Sequence, residues 1–598
     1  MNKKSKKKSA ELLQPEQSGI FRYAPHLIFL LAFLLYLPTI KSGYVYFDDD
    51  LVIIDNYEKL SNVSNFFSAF THDAYFSNSY PYYRPLLSTS LIVDAQLGGI
   101  KPGVYHFTNL LIHCLTCLSL FWLLSLLGFN RAKSFFGALL FAVHPLVSNA
   151  VLFLAARTDQ MATLFAILSF AFIILYYRDK KGYAIALHLL CFAGALYSKE
   201  SAVFLPPLYV LYLLLKKEKI TDLKIVWLAA GWVLIFISWF YLRSISIENT
   251  SLDQVGVASV MKNLPFPFEI VSKFIFPVSL SVMPVYTVYN TVSGIILVLL
   301  IFFLIFRKKQ QMNPLVIFGI VWFIAFALLN MSSRISNADD NFNYLEQRAY
   351  SLSVGLIICF LPLVPDAYLN LRKRSVSLVL AGLFLALSAL TLVQETKYKN
   401  AFNYWTSAVS DFPERPRIEF NFGRSYYKQN DIPNFEVHLL RAIKLKKDPE
   451  FLYQLGMINA VSKKNYDSAY YYFTEAFRNG LTIEGAAGNF VTFCIESSID
   501  LYNRKEYTKA IERCSLAIEK DPKNASAYYN LGSFQMAAGN KQKAMSCWRR
   551  SVILDPELKD AYRNLYAYYT ENKARVDSSG YYLAEYQKRG GKIEAGKR

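Results

Sequence analysis

Three adjacent carboxylates lie directly after the first long apolar run of the chain, in the stretch YVYFDDDLVIIDN (residues 44–56). Asp48, Asp49 and Asp50 repel one another when ionised, so their proximity costs free energy unless a cation lies nearby. The apolar residues on both sides predict that the acids lie close to the lipid surface. A carboxylate in such a half-buried position can accept a proton from an attacking hydroxyl group. The alternative is a solvated turn beyond a helix end, and the acids alone do not decide between the two.

Four basic residues could provide the complementary charge. Arg84 lies in YYRPLL (82–87), Arg157 in ARTDQ (156–160), Lys199 in SKES (198–201) and Arg348 in YLEQRAYS (344–351). A guanidinium group binds phosphate with two parallel hydrogen bonds, so these residues are candidates for holding a lipid-linked phosphate. For Arg84, anchoring at the membrane interface is an equal alternative.

Further polar residues lie within or beside apolar runs. Polar groups are costly there and are therefore functional candidates. The residues singled out for this reason are His144, Asp159, Glu200, Glu346 and Tyr350. The CxxC pair Cys114 and Cys117 lies in an apolar run without a second pair, which favours core packing over a metal or redox site. The sequence predicts no metal site, although a divalent cation is compatible with it.

The composition predicts an integral membrane protein. Of 598 residues, 54% are hydrophobic and only 18% are charged, which is too apolar for an ordinary soluble protein. The net charge of +19 comes from a lysine-rich N-terminal tail and from short basic clusters between apolar runs. This placement is typical of cytoplasmic membrane loops, so we predict no nucleic-acid partner.

Eleven apolar runs approach the length of about 20 residues that crosses a bilayer as a helix. They occupy residues 25–41, 105–127, 134–155, 160–177, 183–198, 201–215, 224–243, 289–307, 314–331, 349–364 and 376–394. With the N-terminal tail in the cytoplasm, this count places every basic cluster on the same side. The acids, the four basic residues and the C-terminal third then share the non-cytoplasmic face. The apolar stretch 264–287 contains four prolines and is interpreted as a re-entrant or interfacial segment.

The C-terminal third repeats itself with a period of 34 residues. Asp521-Pro522 recurs as Asp555-Pro556, and Ala510 recurs as Ala544. This pattern resembles tetratricopeptide repeats, in which small residues lie where two helices pack and a proline ends the second helix. We predict four units, with an insertion near 479–492 and a capping helix. Such arrays most often bind a peptide or a partner protein.

The chain as a whole resembles the membrane O-mannosyltransferases that carry tetratricopeptide repeats, within the GT-C class of lipid-phosphate-sugar-dependent glycosyltransferases. The strings that carry the resemblance are FDDDLVIIDN, YRPL, HFTNLLIH, LFAVHPLVSNAV, ARTDQMATLF, SKES and EQRAYSLSVG, in this order and followed by the repeats. Relatives often have an acidic residue soon after the His-Pro pair, where this chain has Ser148 and Asn149.

The resemblance implies an all-α fold with three parts: a cytoplasmic basic tail (1–24), a GT-C-like membrane domain of about eleven spans (25–397) and a non-cytoplasmic repeat domain (398–598). It implies transfer of a sugar, mannose by analogy, from a polyprenyl- or dolichyl-phosphate carrier to Ser or Thr hydroxyls of exported proteins, with inversion. Asp48 is then the first choice for the base, with Asp49 beside it. Arg348 and Arg84 would stabilise the leaving phosphate, with Arg157 and Lys199 as lesser candidates. No other cofactor is implied.

Two alternatives remain at this point. One is a related transferase that modifies a glycan or a lipid. The other is a non-catalytic, membrane-anchored repeat scaffold, for which eleven spans with polar residues on one face would serve no purpose. The Lys- and Asn-rich composition favours a bacterial inner membrane with a periplasmic repeat domain. In a eukaryote the equivalent would be the endoplasmic reticulum membrane with a lumenal repeat domain.

Overall fold

The computed structural model describes residues 20–76, 81–217, 223–247, 256–307, 313–332, 343–483, 485–571 and 576–592. Within these ranges the secondary structure is helical, and no β-strand occurs. Most of the predicted N-terminal tail, up to residue 19, lies outside the described residues. The chain divides into two compact units, residues 1–426 and 427–598. The predicted boundary at 397/398 therefore precedes the division between the compact units.

The described residues of the first unit form sixteen helices of eight residues or more, numbered here in chain order. They are α1 Ala24–Tyr36, α2 Pro85–Gly98, α3 Pro102–Leu126, α4 Arg131–Val143, α5 Pro145–Leu152, α6 Arg157–Asp179, α7 Tyr183–Ser198, α8 Leu205–Leu215, α9 Leu223–Ser246, α10 Phe266–Ile275, α11 Val288–Arg307, α12 Pro314–Ser332, α13 Ala349–Phe360, α14 Arg374–Lys397, α15 Ala401–Asp411 and α16 Pro416–Tyr427. The predicted all-α membrane fold is confirmed.

Each of the eleven predicted apolar runs contains a helix, but the count of eleven spans is not confirmed. Among the described residues, seven helical segments are long and apolar enough to cross a membrane; one of them is α1 together with its flanking 3₁₀ turns (Phe21–Lys41). The bent pair α4 and α5 makes an eighth if it is one span. Three of the helices, α7, α8 and α13, are shorter. At 1.5 Å per residue, α7 extends about 24 Å, less than the roughly 30 Å thickness of the hydrocarbon core. The predicted orientation depends on these short helices and stays a prediction.

The His-Pro pair bends the third apolar run by 56° between α4 and α5. Pro145 has no backbone N–H and occupies the first turn of α5, where no hydrogen bond is lost. The ring of His144 satisfies the groups that the break exposes. Its Nδ1 accepts a hydrogen bond from the backbone N–H of Leu146 at 3.2 Å, and its Nε2 donates to the carbonyl oxygen of Phe274 at 2.9 Å.

The segment between α1 and α2 carries the carboxylates. We call residues 42–56 the acid loop: it starts as extended chain and ends in a π-helical turn at Asp50–Ile54. Tyr46 has a positive φ of 53°, which turns the chain just before the acids.

The proline-broken stretch 264–287 forms the ten-residue helix α10, which is too short to cross the membrane.

The second unit consists of helices α17 Ile432–Leu445, α18 Pro449–Met457, α19 Tyr466–Arg478, α20 Ala486–Asn503, α21 Tyr507–Lys520, α22 Ala525–Ala537, α23 Lys541–Leu554, α24 Lys559–Glu571 and α25 Val576–Lys588. The repeated alanines Ala510 and Ala544 are fully buried. A Cβ atom on Gly532 would lie 2.5 Å from the Trp548 ring, so only glycine allows this close helix packing. The predicted solenoid of tetratricopeptide repeats is confirmed.

Candidate active site

Asp49 organises the acid loop. Its side chain is 1% exposed. Its Oδ2 accepts a hydrogen bond from the backbone N–H of Val45 at 2.6 Å, and its Oδ1 accepts one from Phe47 at 3.1 Å. Burial raises the pKa of Asp49 to about 7. Both oxygens are thus used to hold the loop in shape.

Asp48 is half-buried and differs from Asp49 in its contacts. Within the described residues, its carboxylate makes no hydrogen bond. Burial and the neighbouring charge of Asp50 raise its pKa to about 6, while the guanidinium groups of Arg84 and Arg348 act in the opposite direction. The acid and the two arginines that the sequence singles out therefore lie within electrostatic reach of one another. A carboxylate with these properties can accept a proton near neutral pH.

Asp50 is tied to the C-terminal part of the first unit. Its Oδ2 lies 3.7 Å from Nη2 of Arg424 in α16, and its Oδ1 accepts a hydrogen bond from the backbone N–H of Leu51 at 3.0 Å. The three adjacent acids thus have three different environments.

Arg84 precedes the first residue of α2 and pairs with Glu200. Its Nη2 and Nε donate to the two carboxylate oxygens of Glu200 at 2.8 and 3.3 Å. The guanidinium group also lies 4.5 Å from the centre of the Tyr82 ring. The Arg84 side chain is 15% exposed, and that of Glu200 is 45% exposed. Glu200 is thus the more exposed partner of the pair.

Lys199 and Arg348 lie near the ion pair of Arg84 and Glu200. Lys199 Nζ donates to Oδ1 of Asp159 at 2.6 Å. Arg348 donates from Nη1 to the carbonyl oxygen of Asn330 at 3.1 Å. Burial lowers the pKa of Lys199 and of Arg348, with the charge of Asp159 opposing the shift and that of Arg84 adding to it. We call Arg84, Lys199 and Arg348 the basic cluster.

Arg157 has a separate environment. It is fully buried, and its Nη2 lies 2.6 Å from Oδ2 of Asp94. Its other donors are used by Asn109 at 2.7 Å, Ser90 at 3.1 Å and the carbonyl oxygen of Tyr105 at 2.9 Å. These contacts join α2, α3 and α6. A guanidinium group engaged in this way, with a fully buried side chain, stabilises helix packing.

Glu346 precedes Arg348 by two residues in a 3₁₀ turn and is fully engaged. It accepts hydrogen bonds from Lys273 Nζ and Asn149 Nδ2, both at 2.7 Å. Lys273 also donates to the hydroxyl of Tyr344 at 2.6 Å, and that hydroxyl donates to Glu269 at 2.6 Å. This buried network fixes the turn that carries Arg348. Asn149, which follows the His-Pro pair by four residues, supplies one of the donors that Glu346 binds.

The network partners of Glu346 are residues that the sequence analysis missed. Glu269 and Lys273 are spaced i, i+4 in FEIVSKF, a pairing typical of one helix face. That signal is present in the sequence, but the prolines around it indicate an interrupted segment rather than a helix. Asp94, the partner of Arg157, carried no such signal, because the two residues are far apart in the chain.

His144 and Tyr350 make hydrogen bonds that hold neighbouring helices together. His144 bridges the bend as described above, and the Tyr350 hydroxyl lies 2.9 Å from Nδ1 of His113 in α3.

Cys114 and Cys117 are buried free thiols. In the described part of the chain, no group of three or more His, Cys, Asp or Glu side chains is arranged to hold a metal ion.

Comparison with known proteins places these residues in context. Residues 98–241 match the family model described as dolichyl-phosphate-mannose-protein mannosyltransferase, and residues 506–545 match a tetratricopeptide repeat. Residues 98–241 are thus similar to O-mannosyltransferases. The matched range includes Asp159, Lys199 and Glu200, whereas the acid loop, Arg84 and Arg348 lie outside it.

The curated relatives are similar over part of their length. The chain is 30% identical to protein O-mannosyl-transferase Tmtc1 of Drosophila melanogaster over 184 residues, 29% of this chain and 20% of that protein. It is 39% identical to protein O-mannosyl-transferase TMTC1 of Mus musculus over 95 residues, 16% of this chain and 10% of that protein. The chain thus spans a fifth or less of the length of these two relatives.

A solved structure is similar at low identity. It is ArnT from Cupriavidus metallidurans bound to undecaprenyl phosphate, at 15% identity and a TM-score of 0.39, covering 78% of this chain and 79% of that chain. At this TM-score the likeness is loose and carries none of the conclusions that follow.

Proposed function

We propose that this protein is a membrane glycosyltransferase that moves mannose from a polyprenyl- or dolichyl-phosphate carrier to Ser or Thr hydroxyls of exported proteins. The observation that carries the proposal is Asp48, a half-buried carboxylate that makes no hydrogen bond within the described residues, in a loop that Asp49 holds in shape. A base within electrostatic reach of two arginines suits attack by a hydroxyl on a sugar phosphate. The O-mannosyltransferase-like region adjoining it supports the choice of mannose.

In the proposed reaction, Asp48 accepts the proton of the acceptor hydroxyl while the oxygen attacks the anomeric carbon. The bond between that carbon and the phosphate oxygen breaks, and its electron pair leaves with the lipid phosphate. Direct displacement inverts the anomeric centre. No nucleotide is needed, because the lipid phosphate already activates the sugar.

The basic cluster stabilises the departing phosphate. Arg84 exchanges the half-exposed carboxylate of Glu200 for phosphate oxygens, and Arg348 supports the charge that develops on the leaving group. Lys199 stays with Asp159 and contributes to the local positive field. Asp49 shapes the loop, and Arg157 holds the helices that carry the cluster. We assign no phosphate contact to Arg157.

The remaining parts of the chain serve the acceptor and the membrane. The repeats of the second unit bind the acceptor polypeptide, since arrays of this kind bind peptides and partner proteins. The domain order proposed is a cytoplasmic tail (1–24), a membrane glycosyltransferase domain (25–397) and repeats (398–598) on the non-cytoplasmic side. The bacterial inner membrane is the proposed location.

The test is transfer by the purified protein from polyprenyl-phosphate mannose to a Ser- and Thr-containing peptide. Asp48→Asn removes the proton acceptor and should lower the transfer rate by about 10²- to 10⁴-fold. Asp55→Asn is the matched control: it changes an exposed acid of the same loop and should leave the rate unchanged. Unaltered transfer by the Asp48 variant would remove the proposed base. Hexose found on a lipid or glycan instead of the peptide would contradict the proposed acceptor.

A further inference from the structure

Residues after 397 were predicted to form the repeat domain, yet the first two helices of that region, α15 and α16, are part of the first compact unit. The hydrophobic core of the membrane unit includes Tyr404 and Trp405 of α15 together with Ile418 and Phe422 of α16. This core is continuous with Phe153, next to α5. The helix pair is thus built into the unit that carries the acid loop.

Trp405 holds the acid loop through its backbone. Its ring is 1% exposed, and its Nε1 donates a hydrogen bond to the carbonyl oxygen of Val45 at 3.0 Å. The N–H of Val45 in turn donates to Asp49 at 2.6 Å. Both backbone polar groups of Val45 are therefore held: its carbonyl oxygen by Trp405 of α15, and its N–H by Asp49.

Aromatic packing fixes the residue that precedes Asp48. The ring of Phe47 stacks on Tyr404 with centroids 6.3 Å apart and meets Trp405 edge-on at 6.0 Å. The backbone N–H of Gly43, at the start of the acid loop, donates to the carbonyl oxygen of Lys399 at 2.8 Å. Arg424 lies 3.7 Å from Asp50. Residues between 399 and 424 therefore contact the acid loop at several points, from Gly43 at its beginning to Asp50.

We propose that the helix pair α15–α16 is a positioning element of the catalytic base, with Trp405 and Arg424 as positioning residues that hold Asp48 in register with the basic cluster. The role of Asp50, which the sequence left unassigned, is to anchor the loop to α16. This inference rests on the proposed function for its kinetic consequence, but the loop contacts can be tested without it.

The kinetic test compares two tryptophans that each donate Nε1 to a carbonyl oxygen within the same unit. Trp405→Phe keeps an aromatic ring and removes the bond to Val45; misplacing a base in this way should lower kcat about tenfold and leave the KM for the lipid donor unchanged. Trp322→Phe removes the equivalent bond to Ser351, which is 2.9 Å long, and should leave kcat unchanged. An equal loss of kcat in Trp405→Phe and Trp322→Phe would overturn the proposal. So would a raised KM for the lipid donor with an unchanged kcat in Trp405→Phe.

A double-variant cycle tests Arg424. If Asp50 and Arg424 act together, Asp50→Asn and Arg424→Gln should each lower kcat, and the double variant should lose no more than the worse single variant. Independent, multiplicative losses would contradict an anchoring pair.

Hydrogen exchange separates failure of this inference from failure of the proposed function. The amides of Val45 and Phe47, which donate to Asp49, should exchange faster in Trp405→Phe and at the wild-type rate in Trp322→Phe. If the wild-type protein transfers no mannose but the loop amides respond in this way, the positioning contact stands and the proposed activity fails. If transfer occurs and neither the amides nor kcat respond to Trp405→Phe, the positioning contact fails.

Discussion

Asp48, Asp49 and Asp50 are chemically identical neighbours, and their different environments follow from where each side chain points. Asp49 is enclosed and accepts two backbone N–H groups of its own loop, so it stabilises the loop rather than reacting. Asp50 lies beside a guanidinium group. Asp48 retains a carboxylate without a hydrogen-bond partner among the described residues, and its pKa of about 6 suits a base that works near neutral pH.

The pH dependence of transfer follows from the raised pKa of Asp48. Because the base must be ionised, kcat/KM should fall about tenfold per pH unit below about pH 6 in the wild-type protein. The Asp50 carboxylate is one cause of the raised pKa of Asp48, so Asp50→Asn should move this acidic limb to lower pH. Asp55→Asn should leave it in place. A wild-type limb near pH 4, or no movement in the Asp50 variant, would contradict the assignment of Asp48.

At the scale of elements, the buried pair of Arg157 and Asp94 joins three helices. Removing one partner of a buried ion pair leaves an uncompensated charge and costs about 3–5 kcal/mol. Asp94→Asn should therefore lower the free energy of unfolding by about this amount, measured by thermal or denaturant unfolding in detergent.

The control for this prediction is an ion pair at the surface. Asp366 pairs with Lys133 at 3.2 Å, and the Asp366 side chain is 70% exposed. Exposed pairs contribute about 0–1 kcal/mol, so Asp366→Asn should have little effect. Similar losses from Asp94→Asn and Asp366→Asn would contradict a structural role for Arg157.

Hydropathy and repeat spacing were sufficient to predict the long apolar helices of the first unit and the repeats of the second, because apolar length and a 34-residue period are local properties. They did not predict α2 or α10. The contacts of each polar residue were beyond prediction. Arg157 carries the same charge as Arg84. Only the fold shows that Arg157 pairs with the buried Asp94 of a helix distant in sequence, whereas Arg84 pairs with the half-exposed Glu200. The short helices α7, α8 and α13 were predicted as full spans, because an apolar run does not show where turns such as Glu200–Phe204 interrupt it.

At the scale of the whole molecule, the candidate site is assembled from segments distributed over the first unit. Asp48, Arg84, Lys199 and Arg348 come from four separate parts of the chain, and each lies outside the helices that are long enough to cross the membrane. Such a site suits a reaction between a lipid-borne donor and a water-borne acceptor. The second unit adds an array of the kind that binds polypeptides.

The most direct test of the central claim is mass spectrometry of exported proteins from cells that carry the wild-type gene, no gene or the Asp48→Asn variant. The account predicts that Ser and Thr residues of exported proteins carry a hexose in wild-type cells. It further predicts that this hexose is lost without the gene and in the Asp48 variant, at equal protein abundance, and is retained in Asp55→Asn. Exported proteins with the same hexose content in all four strains would contradict the account.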